Sequence, residues 1–249
     1  MKNLLGLAKE DLDVAKILYK EKKYSNSLYH YHQCVEKVVK YVGLSIGGIS
    51  ETQIKKEISH DPIKVFKFLF KYFCDQSGGL LPPIDTNILT NAKQLIESSS
   101  DEEIVNEAQN MLKEICDEEN IIKEEQFPSP FDAVCDYFNK VIPGLDLGLD
   151  NKLFRKYAAV RLKNETKNTI IFINYGTKIL QILLVNVLIC SKFKPDEFRY
   201  SSEKIGNPVE HFNENNSLIR NLYFFINSMN IPVDFSGKIN WKIDSVIKM

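Results

Sequence analysis

The sequence predicts an all-α protein, an antiparallel up-and-down helical bundle with extra helices inserted or added. Apolar residues recur at helical spacing from Leu4 to Val42, and only a short polar link separates the first two runs, so those helices must lie side by side and antiparallel. Helix-start signals built on Asp-Pro and Asn-Pro stand further along the chain. No repeat of fixed period is visible, which argues against a helical solenoid.

Leu4, Leu5, Ala8, Leu12, Ala15 and Tyr19 mark a first helix ending near Lys20. Tyr24, Leu28, Tyr31, Val35, Val38 and Val42 mark a second, stopped by Gly43 and Gly47-Gly48. Before the third, Asp61 can cap the free amides of the next turn, worth about 1 kcal/mol, and Pro62 suits a first helical position that needs no amide hydrogen. Ile63, Phe66, Phe70 and Phe73 line one side of it, broadened by Val65 and Leu69.

Gly78-Gly79 and Pro82-Pro83 interrupt the chain before a helix around Asn87 to Glu97. Ser100 with Glu103 forms a capping-box pattern that opens another helix to about Cys116. From Glu97 to Glu125 the chain is strongly acidic, opposed only by Lys113 and Lys123. A solvated helix face is the plain reading, and a surface that docks a basic partner is the sharper one. Phe127 to Pro130 reads as a linker, Pro130 opens a helix through Val141, and Pro143 to Asp150 is a second linker before a helix near Asn151 to Leu162.

Ile170 to Cys190 is the most hydrophobic stretch, yet Asn174, Lys178 and Gln181 share one helical face. A lysine near the centre of a membrane span is costly, so the stretch reads as a core helix with one wet stripe, or as a buried strand pair. Asn207-Pro208-Val209-Glu210 starts a last long helix lined by Phe212, Ile219, Leu222, Ile226 and Met229. The tail, which holds the single tryptophan Trp241, reads as partly irregular. The organisation expected is residues 1–76 as N-terminal helices, 77–150 as an acidic helical insertion, and 151–249 completing the bundle.

The 249 residues are 44% hydrophobic and 26% charged, ordinary for a globular protein, and the formal net charge of -1 gives no global field for nucleic acid. Five scattered cysteines without a CxxC pair point to a reduced, cytoplasmic setting. Lys9, Glu10 and Asp11 come too early for the apolar run of a signal peptide. Gly-rich phosphate loops, HExxH pairs and G-x-S-x-G elbows are absent, so neither a metal nor a cofactor is expected.

His60, just before a helix start, joins Lys37, Lys40 and Lys64 as a candidate binding set for a phosphate-bearing partner. The competing view makes these lysines solvated helix faces and His60 a turn former. Tyr24, Tyr29, Tyr31 and Tyr41 could stack bases, though their helical spacing suits the bundle seam better. His30 reads as a polar edge residue, His32 as half-buried packing, and His211 as exposed in a first turn.

Taken in order, Asp11-Leu12, Ala15-Lys16, Tyr24 to Ser27, Glu36-Lys37-x-x-Lys40 and His60-Asp61 resemble the first helices of a HEPN domain. Phe198-Arg199-Tyr200-Ser201, with serine in place of proline, is similar to the Arg-Tyr-Pro turn before the last HEPN helix. The resemblance covers the first third and this late patch, and points to a divergent prokaryotic member, AbiV-like or otherwise. It implies a homodimer, a place in phage defence or a toxin–antitoxin system, RNA or a nucleotide as ligand, and an antitoxin-type protein partner, with no membrane association.

Many members are metal-independent ribonucleases whose last helix carries an arginine followed, after four to six residues, by a histidine. The arginine steadies the charged phosphate while the histidine moves a proton. Here Arg220-Asn221 begins such a motif, but Phe225, Ile226 and Asn227 fill the possible histidine positions. Asparagine cannot serve as a general base near neutral pH. The reading favoured is therefore a non-catalytic binding module. A divergent endoribonuclease is the alternative, with Arg220, Asn221, Arg199, His60 and His211 as catalytic candidates. A protein-interaction scaffold built on the acidic insertion is the third.

Overall fold

The computed structural model describes residues 3–76, 87–116 and 175–241. Among them the regular structure is helical, and the only pairing of β type is an isolated bridge between Ser202 and Gly206. No helix among them is long and apolar enough to cross a membrane.

Helix α1, Leu4–Lys20, buries Ala8, Leu12 and Ala15. Its end is a left-handed turn in which the Lys23 amide reaches the Leu18 carbonyl at 2.9 Å and the Lys22 amide reaches Tyr19 at 3.0 Å. Lys22 occupies the positive-φ position, at +59°, where glycine is the usual residue. The turn sends α2, Tyr24–Ile46, back along α1. The Ser27 hydroxyl donates to the Ala15 carbonyl across the pair at 2.7 Å.

Helix α2 ends at Gly47, φ +86°, and not at Gly43. Gly43 lies within the helix because a Cβ there would stand 2.7 Å from both Ile49 Cδ1 and Val65 Cγ1. It is a packing glycine. A capping box between Ser50 and Gln53 opens the short α3, Glu51–Gln53, which runs into a π-helical turn, Ile54–Ile58.

As expected, Asp61 accepts the Ile63 amide at 3.2 Å and opens α4, Ile63–Gln76. Its buried face is Ile63, Val65, Phe66 and Leu69, with Phe70 half-buried. Helix α5, Asn87–Ser98, precedes the Ser100–Glu103 capping box that starts α6, Asp101–Cys116. The linkers at 78–83, 127–130 and 143–150 and the helices expected near 130–141 and 151–162 lie outside the described residues, as do Arg155 and Arg161.

The apolar stretch forms a helix, α7, Thr177–Cys190, and not strands. Of the expected wet stripe, Lys178 is half-buried and Gln181 exposed, Asn174 lies outside the described residues, and Asn186 is fully enclosed. Asn186 accepts the Tyr31 hydroxyl at 2.5 Å and donates to the Ile182 carbonyl and the Ser228 hydroxyl. This joins α2 to α7 inside the core, and satisfying each polar atom is what makes the burial affordable. Helices α2 and α7 form the centre, α7 packing on α2, α4, α5 and α6.

The expected long last helix is broken. Asn207 caps a single turn, α8, Pro208–His211, and a second asparagine, Asn216, caps a new helix, α9, Ser217–Ser228. Residues Phe212, Ile219, Leu222, Ile226 and Met229 are still all buried. A final short helix, α10, Asn230–Phe235, follows, and Trp241 closes the core with its indole N–H on the Ser236 carbonyl at 2.7 Å.

Candidate functional site

A polar groove of about 640 Å³ lies where the α1–α2 turn meets two later segments. Its walls are Lys22 to Asn26, Phe198 to Ser201, Asn207 to Val209 and Phe212 to Glu214. The buried Ser25 hydroxyl bonds the Phe198 carbonyl and ties the α2 start to the later turn. No side chain caps the α2 N-terminus, so the positive end of a 23-residue helix opens here.

Charges within the groove are mixed. Lys22 pairs with Glu214 at 2.9 Å, and the Tyr24 hydroxyl donates to the same carboxylate at 3.0 Å. Those two bonds hold the Glu214 carboxyl below its usual range. Arg199 differs. It is exposed and makes no ion pair among the described residues, and its guanidinium carbon lies 5.3 Å from the ring centres of both Tyr29 and Tyr200. Aromatic contact restricts the cation while leaving its N–H fork free.

Tyr29 also touches His30, ring centre to ring centre 5.4 Å. His30 Nδ1 stands 2.9 Å from Asp11, whose other oxygen accepts from Lys37 at 2.5 Å. With Nδ1–H donated to the carboxylate, Nε2 becomes the basic nitrogen. Sequence reasoning missed this pairing, though the antiparallel hairpin contains it. Setting Ser27 against Ala15 places His30, one turn on, against Asp11.

The proposed binding set does not gather at one point. Lys37 belongs to the Asp11 network, and Lys64 donates to the Glu57 carbonyl at 2.9 Å. Lys40 and His60 do meet, on Glu36, but only Lys40 is buried. Lys40 lies 2.6 Å from Glu36 and donates to the Ser59 carbonyl, while His60 sits 3.3 Å away with its side chain 73% exposed. Ser59 has φ +49° and ψ -114°, a conformation costly to a residue with a Cβ, and Lys40 fastens it. The geometry is that of a pin between α2 and the turn before α4.

The HEPN domain family matches residues 1–75. Over this segment the chain is similar to HEPN domains. Across 42 residues the chain is also 57% identical to the protein named Putative toxin MJ1304 from Methanocaldococcus jannaschii, a stretch that covers 17% of this chain. The chain thus spans about a quarter, 27%, of that relative's length. No solved structure matches.

On the last long helix, Arg220 is exposed and the positions open to a partner histidine are not. Arg220 faces solvent, whereas Phe225 and Ile226 are fully buried and Asn227 half-buried. A side chain at 225 or 226 therefore points into the core, away from Arg220. Asn221 is occupied, accepting from Gln109 and donating to the Ser217 carbonyl, both at 2.8 Å.

His211 is not exposed as expected. Its ring packs edge-on against Phe212 at 4.8 Å and Phe193 at 6.0 Å, with Nε2 shielded and unpartnered. Neither His60 nor His211 touches an arginine among the described residues; the histidine that shares a neighbour with one is His30. His32 is 2% exposed against Phe198, and burial lowers its pKa from 6.5 to about 4. Among the described residues no three His, Cys, Asp or Glu side chains are placed to hold a metal ion.

Proposed function

We propose that the chain is a toxin-like HEPN module that binds single-stranded RNA or a nucleotide in the Arg199 groove, without the last-helix cleavage chemistry. One observation carries this reading. Arg199 is held between Tyr29 and Tyr200 at a groove onto which the uncapped α2 N-terminus opens. A guanidinium and helix amides suit phosphate, and the exposed Tyr200 ring suits a base. The toxin-like context rests on the relative's name and the HEPN domain. In that context the chain acts as a homodimer through its bundle helices, and a protein of antitoxin type restrains it.

Photo-cross-linking of a 4-thiouridine-labelled oligoribonucleotide to the full chain, with adducts located by mass spectrometry, tests the site. Adducts within 22–29 and 198–214 support it; adducts confined to other segments refute it. A second reading, a divergent metal-independent ribonuclease, is favoured by the Asp11–His30 pair standing across Tyr29 from Arg199.

A further inference from the structure

A second groove, of about 400 Å³, runs between α5 and α6 with α7 as its floor. Its chemistry is the reverse of the first. Leu95 and Ile96 line one wall, Ile104 and Met111 the other, and Val185 and Leu188 the base. Leu95 and Met111, on facing walls, are 67% and 41% exposed, far more than side chains of their size are in the surrounding core. Large apolar residues left in solvent around a concave surface mark a contact site.

The charge lining this groove is acidic, with Lys192 beside it, donating to the Ile96 and Ser99 carbonyls. Glu103 and Glu107 line the groove together with the apolar residues, and no lysine or arginine does. Glu103 is fixed in place, accepting the Ser100 amide at 3.0 Å and the Ser100 hydroxyl at 2.9 Å. Glu102 and Glu114 add two exposed carboxylates on the same helix, against Lys113. Nucleic acid is repelled by such a rim. A two-fold contact between copies of the chain would set acidic rim against acidic rim.

We propose that this groove docks an amphipathic helix from a partner protein, with an apolar stripe that enters between Leu95 and Met111 and flanking lysines or arginines that meet Glu103 and Glu107. Two helical walls over a helical floor give the shape into which another helix packs. Met111 supplies an adaptable contact. The inference is independent of the Arg199 groove.

The test uses the full chain and two labelled synthetic helices. One has leucines at i, i+3, i+4 and i+7 with lysines elsewhere; the other replaces every lysine with glutamate. Fluorescence anisotropy should show binding of the lysine peptide alone. Leu95→Asp and Glu107→Lys, both at exposed positions, should each weaken it by about tenfold or more, while Glu203→Lys, remote in sequence, should not. Equal binding of both peptides, no binding, or indifference to Leu95→Asp and Glu107→Lys overturns the proposal. Sedimentation velocity supplies the remaining arm: a dimer that Leu95→Asp dissolves would assign the groove to a second copy of the chain and overturn it too.

Discussion

The guanidinium of Arg199 rests 5.3 Å from the ring centre of Tyr29, joining the turn after α7 to a helix more than one hundred and fifty residues earlier in the chain. The same ring touches His30, so the exposed arginine and the carboxylate-held histidine flank a single side chain. Among the described residues, Arg199, Tyr29, His30 and Asp11 therefore meet beside the first turns of α2, and not on the last long helix.

The buried Glu36–Lys40 pair should be structural. Lys40→Met leaves a carboxylate enclosed with only the peripheral His60 beside it, and should cost about 3–5 kcal/mol. Adding Glu36→Gln should recover a substantial part of that loss, since no unpaired charge remains. Urea denaturation of the two variants measures both. A single variant as stable as the double would show that the pair holds nothing.

Stability should fall in acid because of His32. Its folded pKa of about 4 lies below the ordinary 6.5, so the unfolded chain takes up the proton first. The stabilisation is complete above pH 6.5 and is lost as pH falls through 4, up to about 3 kcal/mol in all. In His32→Leu the slope of stability against pH between those values should flatten. An unchanged slope would place the acid sensitivity in other groups.

How far the sequence carries can be judged residue by residue. Asp61, Ser100 and Asn207 announce helix starts through local chemistry, and each caps as its neighbours imply. Gly43 misleads because glycine serves both as a helix stop and as a close-packing residue, and only the approach of Ile49 and Val65 decides between them. The break after His211 turns on a second asparagine cap, Asn216, within an apolar pattern that continues across it. The site was harder still. Arg199 meets Tyr29 through tertiary packing that no periodicity encodes, and His211 is enclosed by Phe193, a residue from another segment.

Ser59 offers a gain in stability. Its positive φ is one that glycine adopts without a Cβ penalty, so Ser59→Gly should raise stability by about 1 kcal/mol. The urea midpoint should rise with an unchanged slope. A loss of stability would mean that the serine side chain contributes more than its backbone costs.

Metal-independent cleavage should be absent. In EDTA, a labelled single-stranded RNA incubated with the full chain should remain intact on a denaturing gel. Cleavage abolished by both His30→Ala and Arg199→Ala would instead establish the ribonuclease reading, with His30 as the proton carrier.

Anisotropy titration of labelled single-stranded RNA against the wild type, Arg199→Ala and Arg220→Ala tests the central claim most directly. The wild type should bind in a salt-dependent manner, Arg199→Ala should bind about tenfold more weakly, and Arg220→Ala should match the wild type. No binding by the wild type, or an equal loss in both variants, would contradict a nucleic-acid site at the Arg199 groove.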